Sequence, residues 1–141
     1  MSNAPWSIGI DPGKVTGFAV YNVASGALVE LRSMNFWSAF WRVRDFSPHL
    51  LSRVVVEVPE SKHVWQDKAK GERALLRQGI NVGSVIRESE LLAEGLSVLG
   101  YPVVTVHPRR KVNHATFQKV TGWTERTNQH QRDAGLLCFG K

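Results

Sequence analysis

Cysteine is nearly absent from this 141-residue sequence, which contains only Cys138. A single cysteine excludes an internal disulfide and a cysteine-rich zinc site, and its apolar surroundings favour a packed thiol over a reactive one. No apolar run approaches the ~20 residues of a membrane span, and the N-terminus lacks the charged and apolar regions of a signal peptide. These absences predict a cytoplasmic protein.

Acidic residues are outnumbered, with 12 aspartates and glutamates against 18 lysines and arginines and a net charge of +6. Such a balance favours a polyanionic partner, which is nucleic acid or an anionic membrane surface. Many of the basic residues fall into two clusters, and we interpret both as candidate nucleic-acid contacts. The first cluster comprises Lys62, Lys68, Lys70, Arg73 and Arg77, and the second comprises Arg109, Arg110 and Lys111.

Alternation, β-branched runs and turn residues predict five strands, the first two joined by a hairpin turn at Pro12-Gly13. These strands cover residues 7–11, 16–21, 27–32, 53–58 and 101–106. Helical spacing of apolar residues predicts helices at 35–44, 81–99, 114–120 and 128–139, and residues 61–79 form a polar surface segment, flexible or partly helical. A helix separates the last two predicted strands, which implies that these two strands pair in parallel. The prediction is one α/β domain over residues 1–141, with a mixed sheet flanked by helices.

Aromatic residues are concentrated near the first predicted helix, where Phe36, Trp37, Phe40 and Trp41 recur at helical spacing. The usual burial of such side chains favours a helix that covers the sheet. An interface between two copies of the chain is the alternative, because aromatic residues are enriched at protein interfaces.

Three acidic residues and one histidine occur where strands and a helix are predicted to end or begin. Asp11 ends the first strand, and Glu57 ends a buried strand, where ionisation is costly without a partner. His130 and Asp133 share the face of the last helix that should point at the sheet. Taken one at a time, these residues also have non-functional explanations. Asp11 would be a turn residue, Glu57 would form a buried ion pair, and Asp133 would interact with the helix dipole. Together they form an oxygen-rich set with one imidazole, which suits Mg²⁺ or Mn²⁺ and two-metal phosphoryl transfer.

Three segments carry a resemblance to a known family. The segment Ile8-Gly-Ile-Asp-Pro-Gly-x-x-x-Thr-Gly17 resembles the first motif of RuvC-type Holliday junction resolvases, which belong to the ribonuclease H-like superfamily. Val54-Val-Val-Glu57 is similar to their second acidic strand, and His130-x-x-Asp133-Ala134 resembles their C-terminal metal-binding helix. The three segments follow the family's order and span nearly the whole chain.

The resemblance implies a ribonuclease H-like fold with a five-stranded mixed sheet flanked by helices, in a single RuvC-like nuclease domain. It further implies a homodimer without a membrane partner that uses Mg²⁺ or Mn²⁺ to hydrolyse phosphodiesters in Holliday junctions or other branched DNA. His130 would bind metal or, alternatively, orient or deprotonate the attacking water. Lys111 and Lys119 would contact phosphate or the transition state. The metal ligands and catalytic residues carried over are Asp11, Glu57, His130 and Asp133.

Two departures from the family pattern leave other functions open. Glu60 stands where the family commonly has an aromatic residue that inserts at the junction, and Trp65 is the nearest substitute for stacking on a base. The segment between Lys111 and His130 is shorter than in cellular resolvases, and this compactness resembles viral (phage-type) or otherwise minimal members, as in a bacterial or phage-encoded protein. The alternatives are a ribonuclease H-like nuclease acting on RNA or flap structures, and a non-catalytic nucleic-acid-binding module.

Overall fold

A five-stranded mixed sheet forms the centre of the computed structural model, which describes residues 3–60 and 71–141. The strands are β1 (Trp6–Asp11), β2 (Thr16–Asn22), β3 (Ala27–Met34), β4 (Leu51–Glu57) and β5 (Val103–Val106). The helices are α1 (Phe36–Arg44), α2 (Glu72–Val98), α3 (His114–Thr121) and α4 (Gln129–Cys138), and a 3-10 turn at Pro48–Leu50 precedes β4.

The sheet has the order β3-β2-β1-β4-β5, so β1 lies at its centre. Strands β1, β2 and β3 form an antiparallel meander, whereas β4 pairs in parallel with both β1 and β5. Three antiparallel strands and a parallel pair joined through a helix were predicted from the sequence, and this α/β architecture is confirmed. None of the described helices combines the length and the hydropathy needed to cross a membrane.

Each face of the sheet is covered by helices, and each covered face has its own apolar core. The first core lies under α1 and α2 and includes Ile8, Ile10, Phe18, Val54, Val56, Val43, Leu92 and Leu96. The second lies under α3 and α4 and includes Ala19, Tyr21, Leu28, Phe117, Ala134 and Cys138. Cys138 is buried in this second core, which confirms the prediction of a packed cysteine, and burial raises the pKa of its thiol to about 12.

Three of the described helices begin with an asparagine whose side chain caps the first turn. The side chains of Asn35, Asn113 and Asn128 each accept a hydrogen bond from the backbone amide three residues further on, at 2.8, 2.8 and 2.9 Å. An asparagine in this position satisfies an amide that the helix itself cannot pair. In the last case Gln131 completes a capping box, which fixes where α4 starts.

The aromatic residues of α1 divide between its two sides. Phe36 and Phe40 pack partly buried against the first core, as expected for a helix that covers the sheet. Trp37 and Trp41 point outwards and are 64% and 61% exposed. The covering role is therefore confirmed for one half of the aromatic stripe.

Helix α2 starts at Glu72, nine positions before the predicted start at residue 81. The predicted helix was too short because Gly79 interrupts the pattern, and a glycine disfavours a helix by about 1 kcal/mol relative to alanine. Tertiary packing further along the helix outweighs that local cost. Arg73 and Arg77 consequently lie on the first two turns of a helix, where both are exposed.

Candidate metal centre

Two carboxylates meet at the carboxyl edge of the sheet because β1 and β4 are parallel neighbours. Ile10 pairs with Val56, so the next residues, Asp11 and Glu57, end their strands side by side. Ile10 and Val56 both point into the first core. Since side chains alternate along a strand, Asp11 and Glu57 point to the other face, which α4 covers.

Helix α4 lies close against the sheet because two strand residues have no side chain. A Cβ atom on Gly9 of β1 would overlap with the carbonyl oxygen of Ala134, and one on Gly17 of β2 would overlap with that of His130. Larger residues at these positions would push the helix away from the strands. The two glycines therefore bring Asp133, on the inner side of α4, down to the strand ends.

The three acidic residues form one buried cluster. One carboxylate oxygen from each of Asp11, Glu57 and Asp133 lies within 4.8 Å of the other two. These residues are only 7%, 7% and 9% exposed. Negative charge buried in this cluster requires compensation, and part of it comes from Lys111, whose ammonium group forms an ion pair with Asp133 Oδ2.

Burial changes the protonation of this cluster. Desolvation raises the pKa of Glu57 to about 8, and the hydrogen bond with Asp11 and the charge of Asp11 add to the rise. Desolvation also raises the pKa of Asp11, against the opposing effect of its hydrogen bond with Glu57. Burial lowers the pKa of Lys111, but its hydrogen bond to Asp133 and the surrounding negative charges outweigh burial and raise it overall. At neutral pH, Glu57 therefore tends to keep its proton, while Lys111 stays charged.

His130 lies at the rim of the cluster. Its Nδ1 atom is 3.5 Å from Asp11 Oδ2, and its side chain is 48% exposed. The structure thus places all four predicted site residues together, but with different access to solvent. The three carboxylates are buried, and the imidazole stands where water and substrate can reach it.

The hydrogen bonds on Asp133 involve a residue that the sequence analysis missed. Gln129 Nε2 donates to Asp133 Oδ1 at 2.7 Å, while Lys111 holds the other oxygen. Gln129 lies four residues before Asp133 on the same helix face, and this spacing was the available signal. Lys111 was predicted to contact phosphate, and its ion pair with a carboxylate was not foreseen.

The predicted nucleic-acid contacts lie at different distances from the cluster. Arg109 and Arg110 follow β5 and line, together with Glu57 and Asp133, a cavity of about 40 Å³, which is large enough to hold water. Lys119 is exposed in the last turn of α3. Lys62, Trp65, Lys68 and Lys70 lie outside the described residues.

The donor set fits a hard divalent cation. Carboxylate oxygens are the ligands that Mg²⁺ and Mn²⁺ prefer in proteins, and this cluster offers three within a few ångströms. Burial and, to a lesser extent, charge repulsion raise the pKa values of Asp11 and Glu57, and a bound cation would offset both effects by stabilising the ionised carboxylates. Which of these residues bind metal stays a prediction.

Comparison with known proteins gives a structural relationship without a sequence relationship. No family model matches the sequence, and no curated protein matches it. Among solved structures, the fold is similar to that of T. thermophilus RuvC in complex with Holliday junction substrate, with a TM-score of 0.58 and 16% sequence identity. The similarity covers 95% of this chain and 90% of that chain. The chain therefore has a ribonuclease H-like α/β fold, similar to that of this RuvC structure.

Proposed function

We propose that this chain is a metal-dependent endodeoxyribonuclease that cleaves Holliday junctions or other branched DNA as a homodimer, with residues 1–141 as one nuclease domain. The observation that carries the proposal is the buried cluster of Asp11, Glu57 and Asp133 at the carboxyl edge of a RuvC-type sheet. The similar solved structure has a Holliday junction bound, which supports the choice of substrate.

Each residue of the centre has a role that follows from its position. Asp11, Glu57 and Asp133 would hold Mg²⁺ or Mn²⁺. A divalent cation there would polarise the phosphodiester and help to generate the attacking hydroxide. Water adds to phosphorus as the bond to the leaving sugar oxygen breaks, and that oxygen takes up a proton. His130 is exposed beside Asp11 and can bind the cation or accept the proton of the water.

Basic residues near the centre are suited to hold the phosphate. Lys111 is already within the carboxylate cluster, so its ammonium group needs little movement to reach a phosphate oxygen. Arg109 and Arg110 are exposed on the segment that leads to Lys111. Cations in such a position strengthen binding to any nucleic acid, because phosphate contacts do not depend on sequence.

The direct test compares labelled substrates with the purified protein in Mg²⁺ and in chelator. We expect metal-dependent, symmetric nicks in a four-way junction and much less cleavage of linear duplex of the same sequence. An RNA–DNA hybrid and a flap substrate belong in the same experiment, because they represent the alternative specificities within this fold. Equal cleavage of duplex and junction would contradict the proposed selectivity, and preferential cleavage of the hybrid would support the ribonuclease alternative.

The outward face of α2 is suited to contact a second copy. Leu76, Ile80, Leu91 and Val98 are all exposed on this 27-residue helix. Their spacings of 4, 11 and 7 residues are close to whole numbers of helical turns, so the four form one stripe. Leu92 and Leu96, on the opposite side, pack in the first core. Trp37 of α1 lines the same open groove as Ile80 and Leu91, which extends the apolar surface.

A charge placed in this stripe should prevent dimerisation. We expect Leu91→Glu to convert the dimer into a monomer in size-exclusion chromatography with light scattering, because a carboxylate would be buried unpaired at the contact. Val120→Glu is the matched control, since Val120 is also an exposed apolar residue but lies on α3. A Leu91→Glu protein that remains dimeric would assign the contact to another surface.

A further inference from the structure

Arg132 of α4 makes four hydrogen bonds that all end on neutral oxygens. Its Nε donates to the carbonyl of Val112 at 2.9 Å, and its Nη1 donates to the carbonyl and hydroxyl of Thr127 at 3.0 and 3.1 Å. Its Nη2 donates to Gln129 Oε1 at 3.0 Å. Thr127 is itself anchored by a 2.7 Å hydrogen bond shared with His114 of α3. The guanidinium thus connects α4 with the two segments that flank α3.

The bond to Gln129 determines which end of that amide faces the carboxylate cluster. An amide oxygen can only accept and an amide nitrogen can only donate. Because Oε1 accepts from Arg132, Nε2 is the atom that faces Asp133, where it donates to Oδ1 at 2.7 Å. Oδ1 is thereby occupied by a neutral donor.

The bond to Val112 acts on the other oxygen of Asp133. Val112 follows Lys111 in the chain, and the ammonium group of Lys111 forms an ion pair with Asp133 Oδ2. Anchoring the Val112 carbonyl to α4 therefore limits how far Lys111 can move from the cluster. The same guanidinium thus holds the amide of Gln129 and the main chain next to Lys111, and Gln129 and Lys111 are the two donors to Asp133 among the described residues.

We propose that Arg132 is a positioning residue of the candidate metal centre, acting through Gln129 and through the main chain next to Lys111. It fixes the rotamer of Asp133, so that Oδ2 is the oxygen available to a cation shared with Asp11 and Glu57. It also keeps the ammonium group of Lys111 beside the centre when a cation takes its place at Oδ2. This inference rests on the proposed function, because it assumes that the cluster binds a divalent cation.

The test measures Mn²⁺ affinity by calorimetry at a temperature well below the unfolding transition. We expect Arg132→Met to weaken Mn²⁺ binding by about 10-fold or more, the usual loss when a group that orients a metal ligand is removed. Gln129→Met should cause part of that loss. Because Arg132 acts through Gln129, the double variant of both residues should bind Mn²⁺ little more weakly than Arg132→Met alone. Arg132→Lys should not restore full affinity, since an ammonium group cannot reproduce the planar fork.

Kinetics separate positioning from a general loss of structure. For Arg132→Met, raising Mn²⁺ to saturation should recover most of kcat, because the variant keeps every proposed metal ligand. Arg42→Met is the matched control: Arg42 is partly buried and forms ion pairs with Glu30 and Asp45, away from the cluster. This control should lower the melting temperature without changing Mn²⁺ affinity.

The outcomes distinguish this inference from the proposed function. A wild-type protein that binds no Mn²⁺ would overturn both. Normal Mn²⁺ binding by wild type and by Arg132→Met would overturn only the positioning role. If Arg132→Met does not fold, Gln129→Met decides the question, since it removes the amide that links Arg132 to Asp133 and leaves the other three hydrogen bonds of Arg132 in place. Unchanged affinity in that variant would then overturn the inference.

Discussion

Asp11→Asn should abolish junction cleavage while leaving the fold intact. The amide has the shape of the carboxylate but lacks its charge and one acceptor oxygen, so a divalent cation loses a ligand at the centre of the sheet. We expect the cleavage rate to fall by about 10²- to 10³-fold or more, as when a single group that stabilises the transition state is removed. The measurement is single-turnover cleavage of a labelled four-way junction in saturating Mg²⁺.

Although Asp11→Asn should abolish cleavage, it should not destabilise the protein. Asp11 belongs to a buried cluster in which desolvation and, to a lesser extent, the charges of neighbouring carboxylates raise the pKa values of Asp11 and Glu57. A neutral side chain at this position removes part of that repulsion, so the melting temperature in chelator should be unchanged or higher. Asp45→Asn, at an exposed aspartate of α1's C-cap that pairs with Arg42, is the control and should cleave normally. Full activity of Asp11→Asn would exclude the proposed centre.

The fold was predictable because its signals are local and agree with one another. Alternation around Ile8 and Ile10 and the β-branched run that ends at Glu57 predict strands without reference to the rest of the chain. The start of α2 was not predictable in the same way. Its first two turns are followed by Gly79, and only the packed residues further along make that stretch helical.

The candidate site was predictable in its residue types but not in its contacts. Asp11 and Glu57 were recognised from strand ends, and Asp133 from the helix face that points at the sheet. The role of Gly17 could not be read from β2 alone, since it depends on the position of a helix more than 100 residues later in the chain. The bond between Arg132 and the carbonyl of Val112 likewise leaves no sequence pattern, because every residue offers a backbone carbonyl.

Without divalent cations, Glu57 should make the protein less stable as the pH rises. Its pKa in the folded chain is about 8, against an ordinary value of 4.5. Between these values the folded chain binds more protons than the unfolded chain, so this residue's contribution to the free energy of unfolding falls as pH increases. Above about pH 8 both states have lost the proton, and the contribution stays constant. The raised pKa of Asp11 acts in the same direction.

Mg²⁺ should counteract this trend, because it binds the ionised carboxylates. We expect Mg²⁺ to raise the melting temperature more at about pH 8.5 than at about pH 6, since at the higher pH no proton has to be displaced. Glu57→Gln should flatten the pH dependence in chelator and lose most of the Mg²⁺ effect, as measured by differential scanning fluorimetry. Glu90→Gln, at an exposed residue of α2 paired with Arg87, should behave as wild type. Equal pH profiles for wild type and Glu57→Gln would mean that Glu57 is ionised throughout this range, and the cluster would then need another source of compensating charge.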